Sequence, residues 1–468
     1  MKTKKFLALL LCAMMVSALF ACAQPAAPAT EEAAAPAATE AAATEATEAA
    51  PAEKVQITYS YWGLPDEATS VQAALDQFNA SQDRIEVTLM AIPNEEYTAK
   101  LNTMAAAGEL PDCGIMNENG VLDFAAKGLL ADVSSMYDGA DSKPMECVTF
   151  KSDGVPVAYS AANEILVMYY NKAMFDAAGL EYPSATTPMT WDEFVATAKL
   201  LTLDNNGNNA TSPDFDPDST VQYGCVVDNW TWQLEVWARS NGSGWYTDDG
   251  KTCTINDPAV AESIQKVADL TLVEHVMPYY AGLADEGIVR SIVAGNVAMA
   301  TGGTWNVGTC LATAKDQQGL KYGVARLPVM KNEVTICTAG PQLVFSQSKH
   351  QAEAMEFIKW YTQEENNWDT LIATGIWMPA LEKYYTDEEM THKWVDNPNF
   401  PDYASYKAAV VDYARDKAVS TSWYYVPHTN EFLTLLRSVL GPVWTGEMTA
   451  QQVLDDNFDA LNDIFLGN

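Results

Sequence analysis

The sequence predicts an α/β fold with a mostly parallel sheet flanked by helices, spread over more than one domain. The chain has 468 residues. Because a single hydrophobic core stops growing at roughly 250–300 residues, this length predicts two domains or one divided domain. From residue 55 onward, strand-type alternation and helix-type spacing of apolar residues follow each other in the order β-α-β-α-β. That order is typical of parallel strands joined by helical crossovers.

Each of these five elements has its own apolar spacing. The residues that show it are, in chain order, Val55, Ile57, Tyr59 and Tyr61 for a strand, Val71, Leu75 and Phe78 for a helix, Ile85, Val87 and Leu89 for a strand, Tyr97, Leu101 and Met104 for a helix that ends at Gly108, and Cys113 to Met116 for a short strand. Ligands bind at the carboxyl ends of such strands. Trp62 and Asp66 follow the first strand, and Glu118 and Asn119 follow the third. We therefore predict a binding site there.

The N-terminus has the pattern of a secretory signal, predicted over residues 1–21. Lys2, Lys4 and Lys5 precede an uncharged apolar run of 16 residues from Phe6 to Ala21, which is shorter than the about 20 residues of a membrane-spanning helix. The run ends in Leu-Phe-Ala before Cys22. This resembles the lipobox of bacterial lipoproteins, which implies that the Cys22 thiol is lipidated and becomes the mature N-terminus. The alternative is a plain secretory signal with a chance cysteine.

A low-complexity segment follows, predicted as a flexible tether over residues 22–54. Of the 32 residues from 23 to 54, 16 are Ala, 6 are Glu and 4 are Pro, and none is aromatic or a branched aliphatic. Nothing in it can form a packed core. The whole chain carries a net charge of −35. Such acidity argues against binding to nucleic acid or to anionic lipid.

Motifs for metal and catalytic sites are absent from the sequence. The six cysteines of the body are at positions 113, 147, 225, 253, 310 and 337, with no CxxC pair; three disulfides and buried free thiols both remain open. There is no HExxH and no GxSxG motif. Asp204, Asn206 and Asn208 begin like a calcium-binding loop that runs on to Asp218, but position six is Asn209 and position twelve is Phe215. An acidic surface loop is the default interpretation, and calcium binding together with Asp214, Asp216 and Asp218 is the alternative. From these motifs as a whole we predict no metal, no cofactor and no enzyme activity.

Nine short segments together resemble one known family. They are Ile57–Trp62, Gly108–Asp112, Gly128–Asp132, Tyr169–Lys172 with Phe175 and Gly179, Thr190–Phe194, Gly295–Met299, Gly302–Trp305, Tyr322–Pro328 and Phe357–Tyr361. Because these segments occur in the order found in that family, the chain resembles an extracellular solute-binding protein of the sugar-type family 1, similar to maltose- and multiple-sugar-binding proteins. Such proteins are the receptors of ABC importers. Within this set, Thr190 and Glu193 have the spacing of a helix capping box, so we do not predict Trp191 as a ligand contact.

The resemblance implies a two-lobed, periplasmic-binding-protein-like fold whose lobes are joined by crossing hinge segments. The crossings are expected near Tyr159 to Glu164 and near Tyr322 to Leu327. Lobe 1 would then comprise 55–159 with 328–372, and lobe 2 would comprise 160–327 with 373–468. A solute bound in the cleft would shift the population toward a closed form.

A sugar site requires aromatic rings that stack on C–H faces, and polar groups that bond to hydroxyls. Position along the chain and the family resemblance together select twelve candidates. They are Trp62, Asp66, Glu118, Asn119, Glu164, Asn229, Trp230, Trp232, Trp305, Trp377, Trp423 and Tyr424.

The sequence therefore predicts a monomeric, lipid-anchored receptor on the outer face of a bacterial cell membrane. Its expected partners are a carbohydrate, in particular an oligosaccharide, and the transmembrane subunits of an ABC permease. A surface-anchored glycan-degrading enzyme is the alternative of another class. A receptor of the same fold for a non-sugar solute is the third possibility.

Overall fold

The computed structural model describes residues 53–62, 65–139, 143–279 and 288–468. The predicted signal segment, Cys22 and all of the predicted tether up to residue 52 lie outside the described residues. Within the described ranges, no helix combines the length and the apolar character needed to cross a membrane.

The described strands are short, and most lie in two sheets. They are β1 (Val55–Trp62), β2 (Ile85–Ile92), β3 (Cys113–Ile115), β4 (Lys151–Ser152), β5 (Val155–Pro156), β6 (Tyr159–Ser160), β7 (Glu164–Asn171), β8 (Leu203–Asp204), β9 (Thr220–Val226), β10 (Val297–Gly303), β11 (Tyr322–Ala325), β12 (Thr335–Thr338), β13 (Pro341–Val344) and β14 (Ala418–Ser420).

Helices connect and cover these strands. They are α1 (Pro65–Ser81), α2 (Asn94–Ala107), α3 (Glu118–Ala126), α4 (Lys172–Ala178), α5 (Trp191–Leu201), α6 (Thr231–Ser240), α7 (Pro258–Leu272), α8 (Ile288–Ala294), α9 (Ala312–Gln318), α10 (Gln351–Tyr361), α11 (Glu364–Asn367), α12 (Lys383–Thr386), α13 (Glu388–Val395), α14 (Tyr403–Tyr406), α15 (Asp412–Lys417), α16 (Thr429–Val439), α17 (Gly441–Trp444) and α18 (Ala450–Phe465). A 3₁₀ turn covers Ser422–Tyr424.

The first sheet has the strand order β2-β1-β3-β13-β6. Strands β2 and β3 both pair in parallel with β1, so the predicted β-α-β-α-β start is confirmed. The core beside this sheet is aromatic: Tyr59 lies 5.3 Å from Phe357 between ring centroids, and Phe78 lies 5.1 Å from the same ring. Helix α10 thereby packs on both β1 and α1, because its Phe357 contacts a residue from each.

The second sheet has the order β14-β12-β7-β10-β9-β8, with β11 also paired to β7. We call the two sheets, each with its helices, the first and second lobes. Strand β7 is antiparallel to β10, β11 and β12, whereas β10 with β9 and β12 with β14 are parallel. In the first sheet β13 is antiparallel to both of its neighbours. The sheets are therefore mixed, and the expectation of mostly parallel sheets is wrong in that detail. The reason is that β7 and β13 enter their sheets directly from the other lobe, without a helical crossover.

In the described part of the chain, the backbone passes between the sheets at three places, the last of them between β13 of the first sheet and β14 of the second. The first is between Ser160 and Glu164, within the segment expected for the first crossing. The second is between Thr338 and Pro341, because β11 and β12 both pair with β7 while β13 pairs in the first sheet. The crossing expected near residues 322–327 is thus a strand of the second sheet. Spacing within the sequence cannot distinguish an inner strand from a crossing strand, since both are short and apolar.

The predicted capping box at the start of α5 is confirmed. The Glu193 amide donates to Thr190 Oγ1 at 3.2 Å, and the Thr190 amide donates to Glu193 Oε2 at 2.8 Å. These bonds satisfy two backbone amides that the helix itself cannot pair. Trp191 is 5% exposed and packs edge-on against Trp237 at 5.2 Å, so its role is structural.

We expect Thr190→Ala to lower the free energy of unfolding by about 1 kcal/mol, because it removes the cap oxygen. Urea titration followed by circular dichroism measures the change. Thr190→Ser keeps the oxygen and should retain most of the wild-type stability. An equal loss in both variants would show that the methyl group, not the cap, stabilises α5.

The six body cysteines are free thiols, and all but Cys147 are buried. Cys337 Sγ donates to the carbonyl oxygens of Cys147 at 3.1 Å and Val419 at 3.3 Å. Of the two states left open by the sequence, free thiols are therefore the one present in the structure.

Candidate functional site

Four tryptophans from three separate segments of the second lobe lie in contact. Trp232 on α6 is central: its ring centroid is 6.4 Å from Trp230, 6.2 Å from Trp305 and 5.3 Å from Trp423. Trp230 is the residue before α6, Trp305 follows β10, and Trp423 lies in the 3₁₀ turn. All four are predicted site residues, and the fold brings them together. We call them the tryptophan cluster.

The position of Trp305 depends on Gly303. An added Cβ at Gly303 would lie 1.8 Å from Trp305 Cζ3 and 2.0 Å from Cη2, so the indole lies directly against the glycine backbone. The Thr304 amide donates to Ile165 O at 3.0 Å, and Asn306 Nδ2 donates to Gly303 O at 2.9 Å. These bonds fix the turn, and the missing side chain makes room for the ring.

Polar atoms in and beside the cluster are buried without a partner. Within the part of the chain that the structure describes, Trp230 Nε1, Trp423 Nε1 and Thr421 Oγ1 have no hydrogen-bond partner. Leaving a buried polar group unpaired costs about 1–3 kcal/mol. Such atoms are normally satisfied by a solvent molecule or a ligand. The cluster therefore combines apolar ring faces with unused hydrogen-bonding capacity.

Tyr424 extends the aromatic surface beyond the cluster. Its ring centroid lies 6.3 Å from Trp423 and 4.3 Å from Phe150, which precedes the β4–β5 hairpin. Burial raises the pKa of the Tyr424 hydroxyl well above its ordinary value, and the nearby Cys337 and Glu118 raise it further. Tyr424 consequently remains neutral and can act as a hydrogen-bonding group over the whole physiological pH range.

On the first lobe, Trp62 ends β1 and packs edge-on against Tyr97, with centroids 5.4 Å apart. The Tyr97 hydroxyl donates to Ile115 O at 2.5 Å and lies 2.9 Å from Ser60 Oγ, so α2 and β3 together orient the tryptophan. Asp66 lies in the first turn of α1; its side chain is outside the described part of the structure.

Glu118 begins α3 and contacts the second crossing. Its Oε1 accepts hydrogen bonds from Thr338 Oγ1 at 2.9 Å and from the Ala339 amide at 3.0 Å. Burial raises the pKa of Glu118 from 4.5 to about 7, although these bonds oppose the shift. A carboxyl group that titrates near neutrality thus lies where α3 meets the hinge.

We expect the stability of the protein to fall as pH rises from about 4.5 to about 7, through Glu118. The folded state keeps a proton on Glu118 that the unfolded chain has already released, so raising the pH through this window favours unfolding. Thermal unfolding between pH 4 and 8 measures this slope. Glu118→Gln should flatten it, whereas Glu146→Gln, which removes an exposed carboxylate paired with Lys151, should retain it. An unchanged slope in Glu118→Gln would contradict the assignment.

Asn119 joins the two lobes. Its Nδ2 donates to Asn430 Oδ1 at 2.9 Å, and its carbonyl accepts from Thr429 Oγ1 at 3.4 Å. One turn along α3, Asp123 Oδ1 accepts from the His428 amide at 2.7 Å. Helix α3 of the first lobe is therefore bonded to the start of α16, and the Asn119 amide is already used in this structure.

The remaining candidates have different positions. Glu164 opposes Thr338 in the β7–β12 pair, so it lies where the first and second crossings meet. Trp377 is 8% exposed and packs against Gly340 in the second crossing. Asn229 lines a hollow of about 430 Å³ with Tyr279, Arg437 and Trp444, a set that does not include the tryptophan cluster.

The structure also reveals residues that the sequence reasoning missed. Thr421 and Phe150 contribute to the site region, and Tyr97 was assigned only to a helix face. No local pattern marks Thr421 or Phe150, because each acquires its role from partners far away in the chain. For Tyr97, the available signal is its position at the start of α2, directly after β2, which pairs with the strand that ends at Trp62.

The Asp204 loop does not have the geometry of a calcium site. The Asp204 carboxylate, 1% exposed, accepts from the backbone amides of Asn206, Asn208 and Asp216 and from Asn208 Nδ2. A calcium ion would need the lone pairs of the Asp204 carboxylate oxygens as ligands, but these lone pairs already accept hydrogen bonds from amide groups. Among the described residues, no group of three or more His, Cys, Asp or Glu side chains is placed to hold a metal ion.

The family model for the bacterial extracellular solute-binding proteins matches residues 73–402. The chain belongs to this family. A binding protein of Brucella abortus (strain 2308) is 23% identical over 392 residues, covering 81% of this chain and 85% of the relative. The sn-glycerol-3-phosphate-binding periplasmic protein UgpB of Agrobacterium fabrum is 26% identical over 225 residues, 48% of this chain and 45% of the relative.

Among solved structures, the ABC substrate-binding protein Lmo0181 of Listeria monocytogenes, in complex with cycloalternan, has a TM-score of 0.70. It is 22% identical and covers 88% of this chain and 98% of its own. Other structural neighbours are maltose- and sugar-binding proteins. The predicted two-lobed fold and family resemblance are confirmed: the chain has the fold of a sugar-type substrate-binding protein of ABC transporters. Its relatives are binding proteins rather than enzymes, and the family is extracellular.

Proposed function

We propose that the protein captures a neutral carbohydrate, in particular an oligosaccharide, between its lobes and delivers it to the transmembrane subunits of an ABC importer. The observation that carries this proposal is the tryptophan cluster with its unpaired indole N–H groups. Indole faces stack on the C–H faces of sugars, while indole N–H and hydroxyl groups bond to sugar hydroxyls. A solute with both features would satisfy the buried donors and cover the rings.

Charge favours a neutral solute over a phosphate ester. Arg239 is the cation on the helix that carries Trp232, and its guanidinium is already paired with Glu235 at 2.8 Å. Glu118 on the opposite lobe adds a carboxyl group. An anionic ligand would therefore lack a free cation among these residues and would meet a negative body. The match to sn-glycerol-3-phosphate-binding proteins makes that ester the second candidate.

Closure of the lobes supplies the signal for the permease. Solute bound to the tryptophan cluster gains further contacts from Trp62 and Glu118 only when the lobes approach. This differential affinity shifts the population toward the closed form. In this structure α3 of the first lobe is already bonded to α16 of the second through Asn119 and Asn430.

Isothermal titration calorimetry with tryptophan fluorescence tests the proposal. The panel contains linear and cyclic glucose oligosaccharides, monosaccharides, polyamines, peptides and sn-glycerol 3-phosphate, and chromatography monitors product formation. Saturable binding of an oligosaccharide without product is the expected result. Preference for sn-glycerol 3-phosphate or another non-sugar solute, or turnover of any glycan, would overturn it.

We also propose that Cys22 anchors the protein by lipid to the outer face of the cell membrane, as a monomer. Mass spectrometry of the protein extracted from membranes should detect a diacylated or triacylated N-terminal cysteine. An unmodified N-terminus at another residue would refute the anchor. Light scattering of the released body measures the oligomeric state.

A further inference from the structure

The segment 421–425 contributes Trp423 to the tryptophan cluster, yet it is not part of a long helix or sheet. Strand β14 ends at Ser420 and the 3₁₀ turn covers only Ser422–Tyr424. Short irregular segments hold their side chains in place only where specific bonds fix them. The contacts of this segment with α6 are therefore decisive for the shape of the site.

A buried carboxylate on α6 holds the start of the segment. Glu235 is 1% exposed, and its Oε2 accepts from the Ser422 amide at 3.2 Å and from Ser422 Oγ at 3.0 Å. Both bonds are made to an ionised acceptor, which makes them stronger than neutral hydrogen bonds. They fix the residue directly before Trp423.

Arg239, the ion-pair partner of Glu235, bonds to the end of the segment. Arg239, one turn further along α6, donates from Nε to Glu235 Oε1 at 2.9 Å. A second nitrogen of the same guanidinium donates to the Tyr425 hydroxyl. One ion pair on one helix therefore bonds to both Ser422 and Tyr425, the residues on either side of Trp423 and Tyr424.

The same helix carries Trp232, three residues before Glu235. The bonds of Glu235 and Arg239 therefore join the helix that carries Trp232 to the segment that carries Trp423, whose ring centroid lies 5.3 Å from that of Trp232. Burying an ion pair is costly and rarely improves stability over apolar packing. In the described part of the chain, the Glu235 carboxylate bonds to Arg239 and to Ser422, which is the arrangement expected of a group that positions its neighbour.

We propose that Glu235 and Arg239 are positioning residues of the solute site. They preorganise Trp423 against Trp232 before the solute arrives, so that less conformational freedom is lost on binding. The inference rests on the proposed function for its effect on affinity, but the positioning itself is a property of the free protein.

The experiment compares Glu235→Gln with Glu333→Gln in the full body of the protein. Glu333 forms a comparable, largely buried pair with Arg326 at 2.6 Å in the same lobe, and it is not bonded to the segment. We expect Glu235→Gln to weaken oligosaccharide binding by about tenfold or more and to change the near-ultraviolet circular dichroism from the coupled Trp232 and Trp423 rings. Amide hydrogen exchange at 421–425 should accelerate. Glu333→Gln should lose thermal stability while its affinity stays within about twofold of wild type.

Two further variants keep the test decisive. Ser422→Ala removes only the bond from Ser422 Oγ to Glu235 and leaves the Glu235–Arg239 ion pair intact. It therefore tests the proposal even if Glu235→Gln does not fold, and we expect a loss of affinity of about threefold. In Glu235→Gln with Trp423→Ala, affinity should equal that of Trp423→Ala alone. Unchanged dichroism and exchange in both Glu235→Gln and Ser422→Ala would overturn the positioning role. If no sugar binds the wild type, the proposed function fails, while dichroism and exchange still test the positioning.

Discussion

Trp232→Ala is expected to weaken carbohydrate binding by about 30- to 700-fold. Its ring contacts three other tryptophans, so its removal takes away one stacking surface and the packing support of the other three rings. Central aromatic residues of binding sites cost about 2–4 kcal/mol when truncated, which corresponds to this range of affinity. Calorimetric titration with the best oligosaccharide measures the change.

Two variants control this result. Trp232→Phe retains an aromatic face and should recover part of the affinity. Trp360→Ala removes a half-buried tryptophan that packs on Phe78 in the first lobe, at 5.2 Å, and should bind like the wild type despite some loss of stability. Equal losses of affinity in Trp232→Ala and Trp360→Ala would mean that the cluster does not form the site.

Gly303→Ala is expected to lower affinity by about 100-fold, although Gly303 itself contributes no side chain to the site. The new methyl group would lie 1.8 Å from the Trp305 ring, well inside van der Waals contact, so the ring must leave its position. Losing one ring of a stacking site costs about 2–3 kcal/mol. Because overpacking also strains the fold, the melting temperature should fall by several degrees.

The matched control is Gly441→Ala, since nothing lies within 4 Å of the added Cβ there; both its stability and its affinity should stay close to wild type. The double variant Gly303→Ala with Trp305→Ala tests whether the loss of affinity in Gly303→Ala is due to displacement of the Trp305 ring. It should bind no more weakly than Trp305→Ala alone, because the ring that the methyl group displaces is already absent. A further loss in the double variant would show that Gly303 acts through other atoms.

Local patterns were sufficient for much of the fold. The alternation of Ile57, Tyr59 and Tyr61 and the helical spacing of Val71, Leu75 and Phe78 follow the periods of 2 and 3.6 residues that their secondary structures impose. The structure has a strand and a helix at these positions. The Thr190–Glu193 cap is likewise a four-residue pattern. Each of these features depends on neighbours within a few residues, so the sequence displays them directly.

The candidate site could be predicted only in part. The rings of Trp230, Trp232, Trp305 and Trp423 were chosen from position and resemblance, and the fold brings them into contact. Asn229, chosen by the same reasoning, instead lines a separate hollow. Adjacent residues at the start of a helix point in different directions, and the direction of each depends on how that helix packs.

The sequence by itself determined the order of elements, the acidic charge and the aromatic residues available for a site, and it predicts the signal segment and the tether. The tertiary structure alone decided that Trp232 meets Trp423, that Glu235 bonds to Ser422, that Glu118 and Asn119 contact Thr338 and Asn430, and that the second crossing follows β12. These contacts join residues roughly 190 to 310 positions apart. No periodicity extends over such separations, because they depend on the path of the whole chain between its two sheets.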